Sequence, residues 1–171
     1  MKKLLSALLC LLLCFAFSAC EVDEEPSKEK AEVVSSQEIK KETFGLNESA
    51  VFKDLKFTAT EIKESDGESF FAPATGNTFV GIKFTIENIS NEEQSVSTLL
   101  LFEGYANDVK CEYSISAAAA FDEGTLDGSI APGKKLVGWY ALEVPKDWST
   151  IELQVQSTWL SNNPANFVFE K

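Results

Sequence analysis

The stretch TFVGIKFTIE, residues 78–87, carries the clearest strand pattern of the sequence. Every second side chain is apolar: Val80, Ile82, Phe84 and Ile86. The side chains between them are polar at Lys83, Thr85 and Glu87. Because successive side chains of a strand point to opposite faces of a sheet, this alternation predicts a strand with one buried and one solvated face.

The same alternation recurs from Gly45 to the C terminus. Further strands are predicted over Leu55–Ala59, Gln94–Glu103, Val109–Ser114, Lys135–Val144, residues 151–155, and around Phe167 and Phe169. Polar turns separate them at Asn88–Glu93, Gly104–Asp108 and Pro132-Gly133, and Pro145 ends a strand because it has no amide to donate. Only the alanine run Ser116–Phe121 suggests a helix. About seven or eight strands at this spacing predict an all-β fold, an antiparallel β-sandwich over residues 45–171.

Several short motifs in this region resemble a known family. They are Ala74–Val80, Ile86–Ser90, Ile130–Lys134, Gly138-Trp139-Tyr140 and Glu143-Val144-Pro145. Their order and spacing resemble a bacterial lipoprotein domain family of unknown function, whose members are similar to a secreted mycobacterial immunoprotective antigen. The resemblance implies an immunoglobulin-like β-sandwich outside the cytoplasm. It implies no activity, catalytic residue or ligand.

The N terminus predicts export. Lys2 and Lys3 precede an apolar run over residues 4–17. As a helix this run is about 21 Å long, shorter than a hydrocarbon core of about 30 Å, which is typical of a signal peptide. Phe17-Ser18-Ala19-Cys20 then resembles the lipobox of bacterial lipoproteins, which implies a signal peptide over residues 1–19 and a lipid on Cys20. The alternatives are cleavage after Ala19 with Cys20 left free, and an uncleaved membrane anchor.

Residues 20–44 are interpreted as the lipidated cysteine and a disordered acidic linker. Residues 21–44 hold eight acidic side chains and four lysines, with little apolar surface to offset the entropy of ordering. The spacing of Glu and Lys over Ser27–Lys41 leaves a short helix as the alternative. The linker would hold the domain away from the membrane.

Composition excludes several classes of function. The chain has 27 acidic residues against 15 basic ones, all lysine, for a formal net charge of −12. Because this charge repels phosphate backbones, no nucleic-acid partner is expected. The chain has no His and no Arg, so it lacks the bases of common catalytic triads and the forked donor for phosphate. We therefore expect no enzyme and no cofactor.

Cysteine usage excludes an internal disulfide. Cys10 and Cys14 belong to the signal peptide, and Cys20 would be lipidated. Only Cys111 remains for the folded domain. Its place in a predicted strand, on the face of Val109 and Tyr113, indicates a buried free thiol that packs as a small apolar side chain.

Two loops and three aromatic side chains are the candidate ligand sites. Asp122, Glu123 and Asp127 are weak calcium candidates, because loop carboxylates bind Ca²⁺ but the spacing of an EF-hand is absent. Glu64, Asp66 and Glu68 form a similar loop cluster. Phe70, Phe71 and Trp159 would either form an aromatic binding patch or cap the open ends of the sandwich. Trp139 and Tyr140 alternate, so one should face the core and the other be partly exposed.

These observations favour a lipoprotein anchored to the membrane outside the cytoplasm. The hypothesis is a non-catalytic binding module that uses loops 64–77 and 115–129 to contact an envelope protein or glycan. The alternatives are a solute-binding lipoprotein with an enclosed apolar pocket, which passes a small ligand to a membrane partner, and a surface protein without a small ligand.

Overall fold

The computed structural model describes residues 43–68, 71–122, 124–160 and 163–171. The predicted signal peptide, Cys20, the linker up to Glu42 and the alternative helix lie outside the described residues and stay predictions. Thr43 and Phe44, the last two residues assigned to the linker, form the first strand. The folded part therefore includes two residues that the sequence placed before it.

The described residues form eleven strands and two short helices. In chain order they are β1 (Thr43–Phe44), β2 (Ser49–Val51), β3 (Leu55–Ser65), β4 (Asn77–Asn88), β5 (Gln94–Val96), α1 (Thr98–Leu101), β6 (Phe102–Ala106), β7 (Val109–Cys111), α2 (Ile115–Ala118), β8 (Gly128–Ile130), β9 (Lys135–Pro145), β10 (Thr150–Val155) and β11 (Ala165–Glu170). Neither helix, nor any other in the described part of the chain, has the length and apolar character to cross a bilayer.

Two sheets make the sandwich. Sheet A has the strand order β1-β11-β10-β6-β7, and sheet B has the order β2-β3-β4-β9. A third, two-stranded sheet pairs β5 with β8. Neighbouring strands are antiparallel except β1, which runs parallel to β11. The predicted antiparallel β-sandwich is confirmed. It has more strands than predicted because a strand of two or three residues is too short to show a period.

Strand β4 supplies the centre of the core as the alternation predicts. Val80, Ile82, Phe84 and Ile86 are fully buried. The Phe84 ring lies edge-on to Phe102 and Phe167 of sheet A, at centroid distances of 5.4 and 5.2 Å. These contacts join the two sheets across the core.

Residues 94–106 differ from the prediction of one strand followed by a turn. The strand breaks at Ser97, helix α1 follows, and β6 then continues to Ala106. Only Asn107 and Asp108 form the turn, with left-handed φ angles of 48° and 64°. Asn and Asp tolerate this conformation better than other non-glycine residues, so a two-residue turn suffices.

The predicted strand 109–114 is also shorter, and the residues after it cover the outer face of sheet B. Strand β7 ends at Cys111, and α2 places Ala117 against Phe79 in a small second core. Beyond α2, the Phe121 ring stacks on Trp139 at 5.1 Å. The expectation that either Trp139 or Tyr140 is partly exposed is therefore wrong, since both are buried.

The sandwich has two distinct ends. At the proximal end, Thr43 pairs with Asn166, and α1 and the third sheet lie beside the start of β6 and the end of β10. At the distal end, the loop after Ser65 connects β3 to β4, and the turn after Pro145 connects β9 to β10. The chain thus enters the domain at the end opposite the loop that joins β3 to β4.

Candidate functional site

The distal end carries a polar groove of about 340 Å³, here called the distal groove. Its lining consists of Glu64, Ser65, Asp66, Thr78, Lys146 and Lys171. These residues come from the end of β3, the start of β4, the turn after β9 and the C terminus. The sandwich topology therefore brings four separate segments together at one site.

Two ion pairs lie across the distal groove. Lys146 Nζ is 2.9 Å from Asp66 Oδ1, and Lys171 Nζ is 2.9 Å from Glu64 Oε1. Lys171 also donates to the Lys146 carbonyl at 3.2 Å and lies 5.0 Å from the centroid of the Trp148 ring. The four paired side chains are 40–77% exposed. Exposed pairs of this kind contribute about 0–1 kcal/mol, so a partner with matching charges can replace them at small cost.

The backbone beneath the groove is held in place. Thr78 Oγ1 donates to the Ser65 carbonyl at 3.2 Å, and the Gly67 amide donates to Ser65 Oγ at 3.1 Å. Gly67 has a φ of +67°, and a Cβ there would lie 2.0 Å from the Phe71 carbonyl oxygen. Only glycine fits this position, so the loop turns sharply without a side chain beside the groove.

The proximal end carries an apolar patch, defined by the exposed side chains of Leu100, Trp159 and its chain neighbour Leu160. They are 61, 68 and 69% exposed, whereas Leu99 lines a separate cavity with Cys111 and Tyr113. An open groove of about 310 Å³ runs through the patch, between residues 94–101 and 157–159. The buried side chains of Val96 and Leu101 line it together with Leu100 and Trp159. Large apolar side chains exposed together mark a contact surface more often than those exposed singly.

The structure separates the aromatic side chains that the sequence grouped. Phe71 belongs to the loop between β3 and β4 at the distal end, whereas Trp159 lies beside α1 at the proximal end. They are 51 and 68% exposed, so neither caps the core. Phe70 lies outside the described residues. One shared aromatic patch containing Phe71 and Trp159 is therefore ruled out by the topology.

With the geometry established, comparison with known proteins identifies the family. The family model described as "Domain of unknown function (DUF4352)" matches residues 44–165, which is most of the folded part. The chain belongs to this family. The match confirms the resemblance carried by the motifs in residues 74–145. No curated protein matches the DUF4352 chain.

Solved structures similar to this DUF4352 domain include a β-sandwich protein and a secreted protein. An uncharacterised β-sandwich protein of Clostridium difficile 630 has a TM-score of 0.52 at 19% identity, with 85% of this chain and 99% of that chain covered. The secreted protein MPT63 of Mycobacterium tuberculosis has a TM-score of 0.50 at 15% identity, with 75% and 96% covered. At these identities the likeness shows the fold alone.

A third structure is the protein ycdA of Bacillus subtilis, which is provisionally named a lipoprotein. Its TM-score is 0.59 at 12% identity, with 71% of this chain covered. The DUF4352 chain spans only 38% of the ycdA chain. This likeness too concerns the fold.

Asp127, one of the three calcium candidates, has a structural contact. Its carboxylate accepts hydrogen bonds from the Thr98 amide at 2.8 Å and from Thr98 Oγ1 at 3.0 and 3.1 Å. It thereby fixes the start of α1 below the apolar patch. Asp122 is exposed, and Glu123 lies outside the described residues. Within the described ranges, no three acidic or cysteine side chains are grouped as metal ligands would be.

Cys111 lies on the edge strand β7 and is half-buried, which is less than the sequence predicts. Its Sγ donates to the Val109 carbonyl at 3.4 Å. Burial raises the pKa of the thiol above its usual value, with the backbone at Ala106 acting in the opposite direction. Cys111 is therefore a protonated, weakly nucleophilic thiol at neutral pH.

The sequence missed most residues of both surfaces. It singled out Glu64, Asp66 and Trp159, but neither Lys146 and Lys171 nor the leucines of α1. One signal for α1 was present, since the three consecutive leucines 99–101 interrupt the period-two pattern of the strand predicted over 94–103. Nothing in the sequence brings Lys171 to Glu64, because their proximity depends on the packing of the two sheets.

Proposed function

We propose that the protein is an exported, non-catalytic binding module, held by a lipid on Cys20 outside the cytoplasmic membrane, that presents the distal groove to a protein of the cell envelope. The observation that carries this proposal is the pairing of Thr43 with Asn166, which brings the chain into the domain at the proximal end. A lipid anchor at Cys20 is therefore connected to the proximal end of the sandwich, opposite the distal groove.

The dimensions support this orientation. Strand β4 has 12 residues, so the two ends are about 40 Å apart at roughly 3.3 Å per residue. The 22 residues between Cys20 and Thr43 span roughly 25 Å root-mean-square as a flexible chain. The proximal end then stays near the bilayer, and the distal groove lies farther out, where another protein can reach it.

The charges of the distal groove indicate the kind of partner. Two lysines and two carboxylates line it as ion pairs and are exposed, and Ser65 adds a hydroxyl group. A protein segment that carries both charge signs can exchange these ion pairs for intermolecular ones. Such charge patterns set specificity and association rate more than affinity.

The geometry also favours docking over capture of a solute. A solute-binding lipoprotein should enclose its ligand in an apolar pocket. The distal groove is polar, and the apolar groove at the proximal end is open, with Leu100 and Trp159 largely exposed along it. Neither groove encloses a solute, and the polar distal groove suits a protein partner.

Site-specific photo-crosslinking on whole cells tests the proposal. A photoreactive amino acid replaces Glu68, which is exposed in the distal loop, or Val137, which is 42% exposed in strand β9 of sheet B and serves as control. We expect one discrete protein adduct from position 68 and none of the same mass from position 137.

A charge swap provides the matched variant. In the double variant Asp66→Lys with Lys146→Glu, the ion pair can still form, but its polarity is reversed. We expect the adduct from position 68 to disappear while the urea midpoint stays unchanged. An adduct of equal yield at both positions, or one that persists in the swapped variant, would refute recognition by the distal groove.

A further inference from the structure

The apolar patch lies at the end of the domain where the chain from Cys20 arrives. Thr43 pairs with Asn166 on β11, and the strand neighbour of β11 leads directly into residues 157–160. The patch combines one tryptophan with two leucines, Leu100 and Leu160, at positions where each is more than 60% exposed. Trp side chains concentrate at membrane–water interfaces, where leucine enters the acyl region.

We infer that the apolar patch rests on the outer surface of the bilayer to which Cys20 is attached. This inference depends on the proposed lipid anchor, because the tether supplies the effective concentration. A flexible link of about 22 residues keeps the tethered surface at an effective concentration on the order of millimolar, so a weak intrinsic contact is sufficient. The anchored domain then stands with the patch on lipid, rather than held away from the membrane as the charged linker predicts, and with the distal groove facing outward.

The charge of the domain limits which lipids suit this contact. Residues 43–171 contain nineteen acidic side chains and nine lysines, a net charge of −10. An anionic surface repels such a domain at low salt. The contact therefore relies on apolar side chains and is strongest on uncharged headgroups.

The chain contains its own reporter of this contact. It has three tryptophans, of which Trp139 and Trp148 are buried at 3 and 5% exposure, while Trp159 is 68% exposed in the patch. Bromine atoms on lipid acyl chains quench tryptophan only at short range. Quenching by brominated lipid therefore reports contact of Trp159 with the membrane.

The experiment uses the chain from Cys20 to Lys171, which contains every described residue. Its Cys20 thiol is coupled to a maleimide lipid in phosphatidylcholine vesicles brominated in the upper acyl chain. The substitution Cys111→Ala leaves Cys20 as the single thiol. Because this coupling replaces the biological lipid, the result does not depend on whether Cys20 is lipidated in cells.

We expect the Trp159 signal to be quenched in these vesicles and not in unbrominated ones. Leu160→Asp should lower the equilibrium constant of the contact about tenfold or more, because one leucine leaves the lipid. Val109→Asp should leave quenching unchanged. Val109 is 67% exposed, but it lies next to the turn at Asn107 and Asp108, at the distal end of the sandwich. Leu160 and Val109 are both exposed, so neither substitution should prevent folding.

Three results would overturn the inference. The first is equal quenching in wild type and Leu160→Asp. The second is a Trp159 emission shift that grows with the density of protein on unbrominated vesicles, which would assign the patch to a second copy. The third is a Trp159 emission spectrum that does not change when vesicles are added but shifts when residues 21–42 are removed. That result would assign the patch to the linker. In each case a lipidated Cys20 in cells would leave the proposed function standing.

Discussion

Replacing Phe121 by alanine tests how the outer face of sheet B is covered. The Phe121 ring stacks on Trp139 at 5.1 Å with an interplanar angle of 25°. It also fills the space above Gly81, where a Cβ would lie 2.8 Å from the ring. Alanine removes this cover and exposes the indole, which is 3% exposed in the intact domain.

The magnitude follows from two contributions. Full burial of a phenylalanine contributes about 1.5–3 kcal/mol, so the partly buried Phe121 should contribute about half of that. The aromatic pair adds about 0.5–1.5 kcal/mol beyond burial. The opening faces solvent, so little cavity energy is added. We expect Phe121→Ala to lower the free energy of unfolding by about 1.3–3 kcal/mol.

Equilibrium unfolding in urea, followed by circular dichroism and by tryptophan emission, measures this change. The emission of the folded variant should also shift to the red, because Trp139 meets water. The matched control is Phe71→Ala, which removes a ring that is 51% exposed; by the same burial it should lower the free energy of unfolding by about 0.7–1.5 kcal/mol and leave the tryptophan emission unshifted. Equal effects of the two substitutions would show that Phe121 does not cover Trp139.

Three further changes test other contacts. Gly138→Ala places a Cβ 2.8 Å from the Thr125 carbonyl oxygen and should cost about 1–3 kcal/mol of unfolding free energy in urea; a change near zero would contradict the close approach. Asp127→Ala removes the hydrogen-bond acceptor for Thr98 and should lower the free energy of unfolding by about 1–2 kcal/mol. Asp127→Asn keeps one acceptor oxygen and should lose less; equal losses in the two variants would show that the hydrogen bonds are not responsible. Burial raises the pKa of Tyr140 well above its usual value of 10.0, so the unfolded chain loses that proton first. Stability should therefore fall as pH rises above about 10, and Tyr140→Phe should reduce this slope in urea titrations; an unchanged slope would refute the assignment.

The long strands could be predicted from the sequence because each alternates over many residues. In β4 and β9, a sheet with one face on the core requires the observed period, and the period correctly selects the core side chains Val80, Ile82, Phe84, Ile86, Tyr140, Leu142 and Val144. The outer face of β4 was harder to predict. Phe79 is buried there although it is out of phase with Val80, because α2 and Phe121 cover that part of the sheet.

The short elements and the two surfaces could not be predicted for related reasons. Helix α1 has four residues, and its start depends on Asp127, which lies 29 positions away in the chain. The distal groove depends on contacts between segments that are equally remote, such as Lys146 with Asp66, 80 positions apart. The hydrophobic period and the composition carry no information on contacts between remote segments, because the packing of the two sheets determines those contacts.

The mass of the mature N-terminal peptide tests whether a lipid on Cys20 anchors the protein. Protein extracted from membranes is digested, and the peptide that begins the mature chain is measured. We expect this peptide to begin at Cys20 and to carry a diacylglyceryl group on its sulfur, and we expect Cys20→Ala to move the protein to the soluble fraction. A mature chain that begins elsewhere, or that begins at Cys20 with an unmodified thiol, would contradict the anchor and the orientation built on it.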